Sequence, residues 1–388
     1  MPDIEAREDE RGVTERLERF LSETKSAMPF VALDLDIARS RYKALCDLMP
    51  SATVYYAVKA NPAPAVIAAL AALGASFDLA SAGEIERCRH LGIPAGQCSF
   101  GNTIKKDQDI AQAAADGIDL FAFDSEGELA KLARIAPGAR VFCRLMVENR
   151  GSQWPLSRKF GCADEMAIEL LLRARQLGLR PVGGSFHVGS QQMDPHEWAL
   201  AIAGAAGVFR ACARAGLDLE LLNVGGGLPA HYSTPVLPLA AYADAIEDAL
   251  ATEFGSARPR IIIEPGRYIV GDAGLLRSSV LLIAVKSRHA HRRWVYLDTG
   301  RYNGLPETLD ERIQYRVRTS SDGGPSAPVT LAGPTCDSTD IIYQRSDYRL
   351  PLDLAIGDTI DFLSAGAYTA SYASVEFNGF PPIQTYCI

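Results

Sequence analysis

From about residue 53, short apolar or β-branched runs alternate with longer Ala- and Leu-rich stretches of helical spacing, and this alternation constrains the fold most tightly. It is the βα rhythm of a parallel sheet, in which each strand is followed by a helix that crosses back over the sheet. The expected strands are VYYAVKA (53 to 59), SFDLAS (76 to 81), CSFGNT (98 to 103), LFAFDS (120 to 125), VFCRLMV (141 to 147), GGSFHVGS (183 to 190), LELLNVGG (218 to 225) and RIIIEPGR (260 to 267). Between them lie amphipathic segments such as PAVIAALAALG, AGEIERCRHLG, SEGELAKLARI, DEMAIELLLRARQLG and LAAYADAIEDALATEFG, several ending on glycine where a left-handed cap is wanted. Eight βα units predict an α/β fold, a closed (β/α)8 TIM barrel, with an open doubly wound sheet as the competing arrangement.

After residue 270 helical spacing fades, and β-rich pieces follow: LLRSSVLLIAVKS, RRWVYLDTG, IQYRVRTS, PVTLAG and DTIDFLSAGAY, separated by turn clusters such as SSDGGPSAP. This predicts a second, mostly β domain. The helical stretch TERLERFLSETK and the strand FVALDLD are expected beside it, which gives a barrel over 37–270 and a β domain from 1–36 plus 271–388.

With 39 basic and 47 acidic side chains the net charge is −8, so the chain as a whole offers no basic field to gather phosphate backbones, and nucleic acid is not an expected partner. No run of about 18 apolar residues predicts a membrane span. The acidic start MPDIEAREDERG lacks the basic and apolar regions of a secretory signal, so the expected location is the cytoplasm. Eight scattered cysteines without a CxxC pair form neither a disulfide framework nor a zinc site, and most are expected to be buried thiols. The six histidines include no HExxH, and no metal is expected.

In a TIM barrel the chemistry sits at the C-terminal ends of the strands. Those ends carry Lys59, Asp78, Arg144, His187 with Ser190, the glycines Gly225, Gly226 and Gly227, and Glu264 followed by Gly266 and Arg267. One such residue alone is better read as a surface lysine or a satisfied core histidine; together they are not. Lys59 closes an apolar strand, so its ammonium is expected to be partly desolvated with a lowered pKa, as an imine-forming lysine requires. The triple glycine lets backbone amides approach an anion, and Gly266 with Arg267 adds donors and a cation where this fold usually holds phosphate. Glu264 beside Pro265 would be a costly buried carboxylate unless it met a cation, and a protonated pyridine nitrogen is one. A lysine imine, a phosphate cradle and a carboxylate for a ring nitrogen describe pyridoxal 5'-phosphate, with His187 suited to stack on its ring.

YYAVKANP around Lys59, SFHVGS around His187, NVGGG, EPGR, GPTCDSTD around Cys336, GAYT around Tyr368 and the terminal EFNGF closely resemble the fold III pyridoxal phosphate decarboxylases, the Orn/Lys/Arg class-II family, and within it the ornithine decarboxylases. The resemblance runs from about residue 28 to the C-terminus. It implies an alanine-racemase-like barrel plus a β domain that contributes to the active site, and a homodimer whose two sites lie at the subunit interface.

Position by position, the resemblance makes Lys59 the imine lysine and Glu264 the partner of the pyridine nitrogen. Ser190, Gly226, Gly227, Gly266, Arg267 and Tyr368 look like phosphate contacts, and Asp78, Arg144 and His187 like supports around the ring. Lys159 in RKFG resembles the lysine that pairs across the dimer with the acid matching Glu84. Cys336 and Asp337 resemble the pair inserted by the neighbouring subunit, with Cys336 placing a proton on Cα after CO2 departs. Lys59, Glu264, His187 and Cys336 are thus the expected catalytic set.

For substrate, the resemblance implies Asp337, Asp310, Tyr302 and Phe377, with Glu307 as the alternative to Asp310. Asp337 after Cys336 favours a distal ammonium, and the CD pair argues against diaminopimelate decarboxylases, which typically carry CE. Asn223 stands where many relatives have Asp. The expected activity is decarboxylation of L-ornithine to putrescine and CO2, in polyamine biosynthesis. The alternatives are L-lysine or dual lysine/ornithine decarboxylation, a pathway-specific basic amino acid, and a catalytically inactive regulator that keeps the fold.

Overall fold

A computed structural model describes residues 13–156 and 159–388. The acidic opening stretch and Arg158 of the RKFG motif lie outside the described residues. The chain divides into two units: Arg41–Pro229 with Val236–Tyr268, and residues 13–40 with Ala230–Pro235 and Ile269–Ile388.

The first unit is a closed barrel of eight strands: Ala52–Ala57, Ser76–Leu79, Cys98–Phe100, Leu120–Phe123, Arg140–Arg144, Arg180–Ser185, Leu221–Asn223 and Arg260–Ile263. Each pairs in parallel with the next, and the last returns to the first through Ile261 opposite Ala52. The strands read as continuous apolar runs because both faces are covered. One buried cluster is built from Tyr55, Leu120, Ala122, Phe142, Val182, Leu221 and Ile262, residues that come from six strands. Removing that much apolar surface from water, at roughly 25 cal/mol per Å², is what holds the cylinder closed.

Local signals start and stop the helices as the sequence requires. Ser81 accepts from the Glu84 N–H and Glu84 accepts from the Ala80 N–H, a reciprocal cap that opens Ala82–His90. The same helix ends before Gly92, whose φ of 74° suits glycine. All eight expected strands occur, but they are shorter than expected. GGSFHVGS is not one strand: the barrel strand stops at Ser185, and Ser190–Gln192 pairs antiparallel with Ser152–Trp154 in a separate ribbon. His187 therefore lies in the loop between these two strands and is bound to no strand register.

The second unit is a nine-stranded sheet centred on Gly274–Ala284, which pairs antiparallel with Thr359–Leu363 and with Arg293–Leu297. Phe30–Leu33 pairs antiparallel with Gly274–Arg277 and parallel with Gln384–Cys387, so two distant stretches of sequence meet in one sheet. The helix Glu15–Glu23 covers it, with Leu17 and Leu21 packed beside Phe30, Leu275 and Leu363. Ala230–Pro235, inside the span expected for the barrel, packs with this unit instead. The Ser233 N–H donates to the Gln314 carbonyl, and Ser364 Oγ donates to the His231 carbonyl. Among the described residues no helix is long and apolar enough to cross a membrane.

Candidate active site

Lys59 does not stand on a strand. It sits on the 3-10 turn Val58–Ala60, just past the first barrel strand, and its Nζ lies 2.8 Å from Asp78 Oδ2. With 42% of the side-chain surface open, the ammonium is only partly desolvated, and it has a carboxylate partner that its apolar flanks do not announce. Asp78, on the second strand, is only 2% exposed, and its Oδ1 is buried without a hydrogen-bond partner among the described residues. Gly101 makes room for it. A Cβ at that position would fall 1.9 Å from Asp78 Oδ1.

Glu264 follows the eighth strand. Burial and the nearby Asp78 carboxylate push its carboxyl up to about 7, while Lys59, Asn223 and Arg144 pull it down. Asn223, at the end of the seventh strand, donates from Nδ2 to Glu264 Oε1 at 2.5 Å and accepts the Gly225 N–H at 2.9 Å. Arg144 ends the fifth strand, with burial lowering its pKa and its guanidinium 5.0 Å from the Phe160 ring centroid. His187 is held well below the usual imidazole range by burial, Arg144 and Lys59, which leaves it neutral. Its Nδ1 accepts the Gly189 N–H at 3.0 Å, so the ring proton belongs on Nε2.

The glycine loop and the segment after Glu264 lie close together. A Cβ on Gly225, Gly226 or Gly227 would stand 2.2 Å from the Phe186 carbonyl, 2.4 Å from the Glu264 carbonyl and 2.6 Å from the Gly189 carbonyl, respectively. Gly266 packs against the Lys59 turn, where a Cβ would meet Ala60 Cβ at 2.8 Å. Arg267 is 3% exposed and donates from Nε and Nη2 to Ser190 Oγ at 3.2 and 3.1 Å. A buried guanidinium on a hydroxyl, beside a loop too close-packed for side chains, forms a concave donor surface suited to phosphate.

In the second unit Asp337 Oδ1 accepts from Thr339 twice, from its backbone N–H and from its hydroxyl, both at 2.7 Å. Tyr302 Oη lies 2.8 Å from the same Thr339 hydroxyl, and its ring centroid is 4.9 Å from that of Phe377. These bonds hold the Asp337 carboxyl below the ordinary range, the Thr339 hydroxyl contributing most. Cys336 is exposed, its backbone N–H donating to Asn378 Oδ1 at 2.9 Å. Asp310 is exposed at a φ of 56°, whereas Glu307 on the same 3-10 segment is 2% exposed. Tyr368 is half-buried at a φ of 54°. Lys159 is exposed, its Nζ 5.0 Å from the centroid of the Phe160 ring, and Glu84 serves the helix cap.

A family model described as pyridoxal-dependent decarboxylase, pyridoxal binding domain, matches residues 35–271, more than half of the chain. The chain belongs to this family. It is 35% identical over 353 residues to the lysine/ornithine decarboxylase of Selenomonas ruminantium, covering 91% of this chain and 87% of that one. Among solved structures it resembles SrLDC in complex with PLP and cadaverine, at 32% identity and a TM-score of 0.86 over 97% of this chain and 94% of that one. It also resembles the arginine decarboxylase of Paramecium bursaria Chlorella virus bound to agmatine, at 27% identity and a TM-score of 0.88 over 96% and 99%.

The cofactor of this decarboxylase is pyridoxal 5'-phosphate. The residues fit it: an orphaned buried carboxylate oxygen on Asp78, a raised Glu264 suited to a cationic ring nitrogen, and the Arg267–Ser190 donor surface beside the glycine loop. The barrel unit brings together ten of the expected residues: Lys59, Asp78, Arg144, His187, Ser190, Gly226, Gly227, Glu264, Gly266 and Arg267. Three contributors escape the sequence reading: Gly101, which clears space for Asp78, and Thr339 and Asn378, which hold Asp337 and Cys336. Asn223 is visible there only as a departure from relatives, with no sign that it meets Glu264. The Asp-x-Thr spacing of Asp337 and Thr339 is a local turn signal that could have found one of them.

Proposed function

We propose that this chain decarboxylates basic amino acids, with L-ornithine the preferred substrate and putrescine and CO2 the products, a step of polyamine biosynthesis. The observation that carries the reading is the Tyr302–Thr339–Asp337 chain, which holds an accessible carboxylate in place next to Cys336. An ionised acid there suits a distal ammonium. Asp310, being exposed, is the better placed second acid than the buried Glu307.

Each barrel residue has a distinct task in this account. Lys59 would hold the cofactor through its aldehyde carbon, and Asp78, 2.8 Å from Lys59 Nζ, orients that nitrogen and holds its proton. Bound at this site, pyridoxal phosphate supplies an electron-poor ring over which the negative charge left by departing CO2 is spread. Glu264 would hold a proton on the ring nitrogen, and Asn223 keeps that carboxylate aimed. Neutral His187 offers the ring a flat face that adds no charge. Arg267, Ser190 and the glycine amides would grip the phosphate. Cys336 delivers a proton to Cα once CO2 has left.

The exposed thiol needs cover to work on a desolvated carbon. Tyr372, Val375 and Phe377 are 54%, 65% and 37% exposed in the same part of the sequence, so this surface is proposed to be buried by a second copy in a homodimer with shared sites. In that dimer Lys159 of one copy faces Glu84 of the other. An inactive regulator is the weaker reading, because Lys59, Asp78 and Glu264 are all in place.

L-Lysine is the second reading, favoured by the relative named lysine/ornithine decarboxylase, since one methylene changes discrimination by only about 1 to 3 kcal/mol. CO2 release from ornithine, lysine and arginine tests the reading. The expected order in kcat/KM is ornithine, then lysine, then arginine. Lysine in first place reverses the substrate assignment, and no release from any of the three removes the activity.

A further inference from the structure

We propose that Asn223 is the positioning residue for Glu264, an amide that clamps the carboxylate to the glycine loop and meets it with a donor where an acid would repel it. Asn223 is 1% exposed at the end of the seventh barrel strand. Its Oδ1 accepts the Gly225 N–H at 2.9 Å, and its Nδ2 donates to Glu264 Oε1 at 2.5 Å. The backbone N–H of Gly225 can only donate, so it decides which end of the amide is oxygen and turns the NH2 group toward Glu264.

The clamp is closed on its backbone side as well. Glu264 N–H donates to the Gly225 carbonyl at 2.8 Å. Gly225 itself has little freedom, since its φ is 70° and any Cβ would strike the Phe186 carbonyl at 2.2 Å. Asn223 therefore ties three elements to one carboxylate: the seventh strand, the glycine loop and the segment after the eighth strand.

The other charged or titratable groups facing Glu264 come from separate elements. Asp78 on the second strand opposes its charge, and Lys59 after the first strand and Arg144 on the fifth support it. His187 lies across Gly226, whose Cβ would sit 3.3 Å from His187 Nε2 and 2.4 Å from the Glu264 carbonyl. Asp at position 223 could accept the Gly225 N–H equally well. Its second oxygen would then face Glu264 Oε1, and the two carboxylates would have to share a proton. The proposal rests on the reading of Glu264 as the partner of the cofactor's ring nitrogen.

The test is an infrared titration of the Glu264 carboxyl in the full chain, with and without pyridoxal phosphate, assigned by its disappearance in Glu264→Gln. In Asn223→Asp the carboxyl is expected to lose its proton only at about tenfold lower proton concentration than in the wild type. Asn223→Ala is expected to move it in the same direction by less. An unchanged titration in both variants, with circular dichroism showing them folded, overturns the proposal. If Asn223→Asp does not fold, Asn223→Ala decides alone by the same criterion. The titration uses no substrate, so a chain that releases CO2 from no basic amino acid defeats the functional reading without touching this one.

Discussion

The two units carry most of their candidate site residues in different ways. On the barrel, Asp78, Asn223 and Arg267 are 2%, 1% and 3% exposed, and each is fixed by a neighbour from a different strand end. In the sheet unit Cys336 and Asp310 are exposed, Phe377 is 37% exposed, and Asp337 is held by its own turn, through Thr339 two positions on. Burial in the barrel makes electrostatics strong and fixes geometry before anything binds. Exposure in the sheet unit leaves side chains free to meet a partner. A cofactor that stays bound suits the first arrangement, and a substrate that enters and leaves suits the second.

The sharpest way to break that contrast is Lys59→Ala. Loss of the amine proposed to carry the cofactor should cut kcat by at least about 10⁴-fold while the fold, followed by circular dichroism, is retained. Cys336→Ala should leave cofactor affinity intact and lower kcat by about 10²-fold or more, the usual effect of losing a positioned proton donor. Mixing Lys59→Ala with Cys336→Ala subunits should restore part of the wild-type rate, since one site of each heterodimer keeps both residues. No recovery after confirmed subunit exchange would mean that both act within one chain.

Arg267→Ala sharpens the barrel side. Deleting a buried guanidinium should weaken cofactor affinity by about 10- to 100-fold, with kcat nearly restored at saturating cofactor. Glu264→Gln should do the reverse, keeping the cofactor and losing turnover. Equal losses of affinity in both would contradict the division of roles.

The smallest expected effect concerns stability in the sheet unit. Burial raises the Glu311 carboxyl, but the Arg345, Gln344 and Ser346 amides and the Ser346 hydroxyl outweigh it and bring the pKa down to about 2 from 4.5. A carboxylate with a depressed folded pKa contributes its full stability above the unfolded value, so this contribution is present above pH 4.5 and fades toward pH 2. Glu311→Gln should cost about 1 to 3 kcal/mol near neutral pH, measured by urea unfolding, and markedly less near pH 2.

Much of the barrel is legible in the sequence for a physical reason. Parallel strands buried on both faces must be apolar runs, and their helices must begin and end on capping residues. Ser81 with Glu84 and the glycine at 92 are such signals, and the structure uses them. The strand ends are less legible. Lys59 and His187 read as strand residues because their flanks are apolar, yet they stand on a 3-10 turn and in a loop. Val58, Ala60, Phe186 and Val188 are buried in those turns as fully as strand residues would be, so the apolar pattern runs on past the point where the ladder stops.

Long-range partners leave no trace in any local pattern. Asn223 and Glu264 are 41 residues apart, and nothing around NVGGG announces the bond between them. Gln384–Cys387 is β-branched and aromatic but only four residues long, and nothing local announces that its partner is Phe30–Leu33 far away in the sequence. Ala230–Pro235 likewise follows its hydrogen bonds to Gln314 and Ser364 rather than its place in the sequence.

Reduction of the purified holoenzyme with borohydride, followed by peptide mass mapping, bears most directly on the site as a whole. A pyridoxyl group should be found on Lys59 in the wild type and be lost in Lys59→Ala. Its attachment at another lysine, or no attachment in cofactor-saturated protein, would contradict the assignment of this barrel mouth as the place of catalysis.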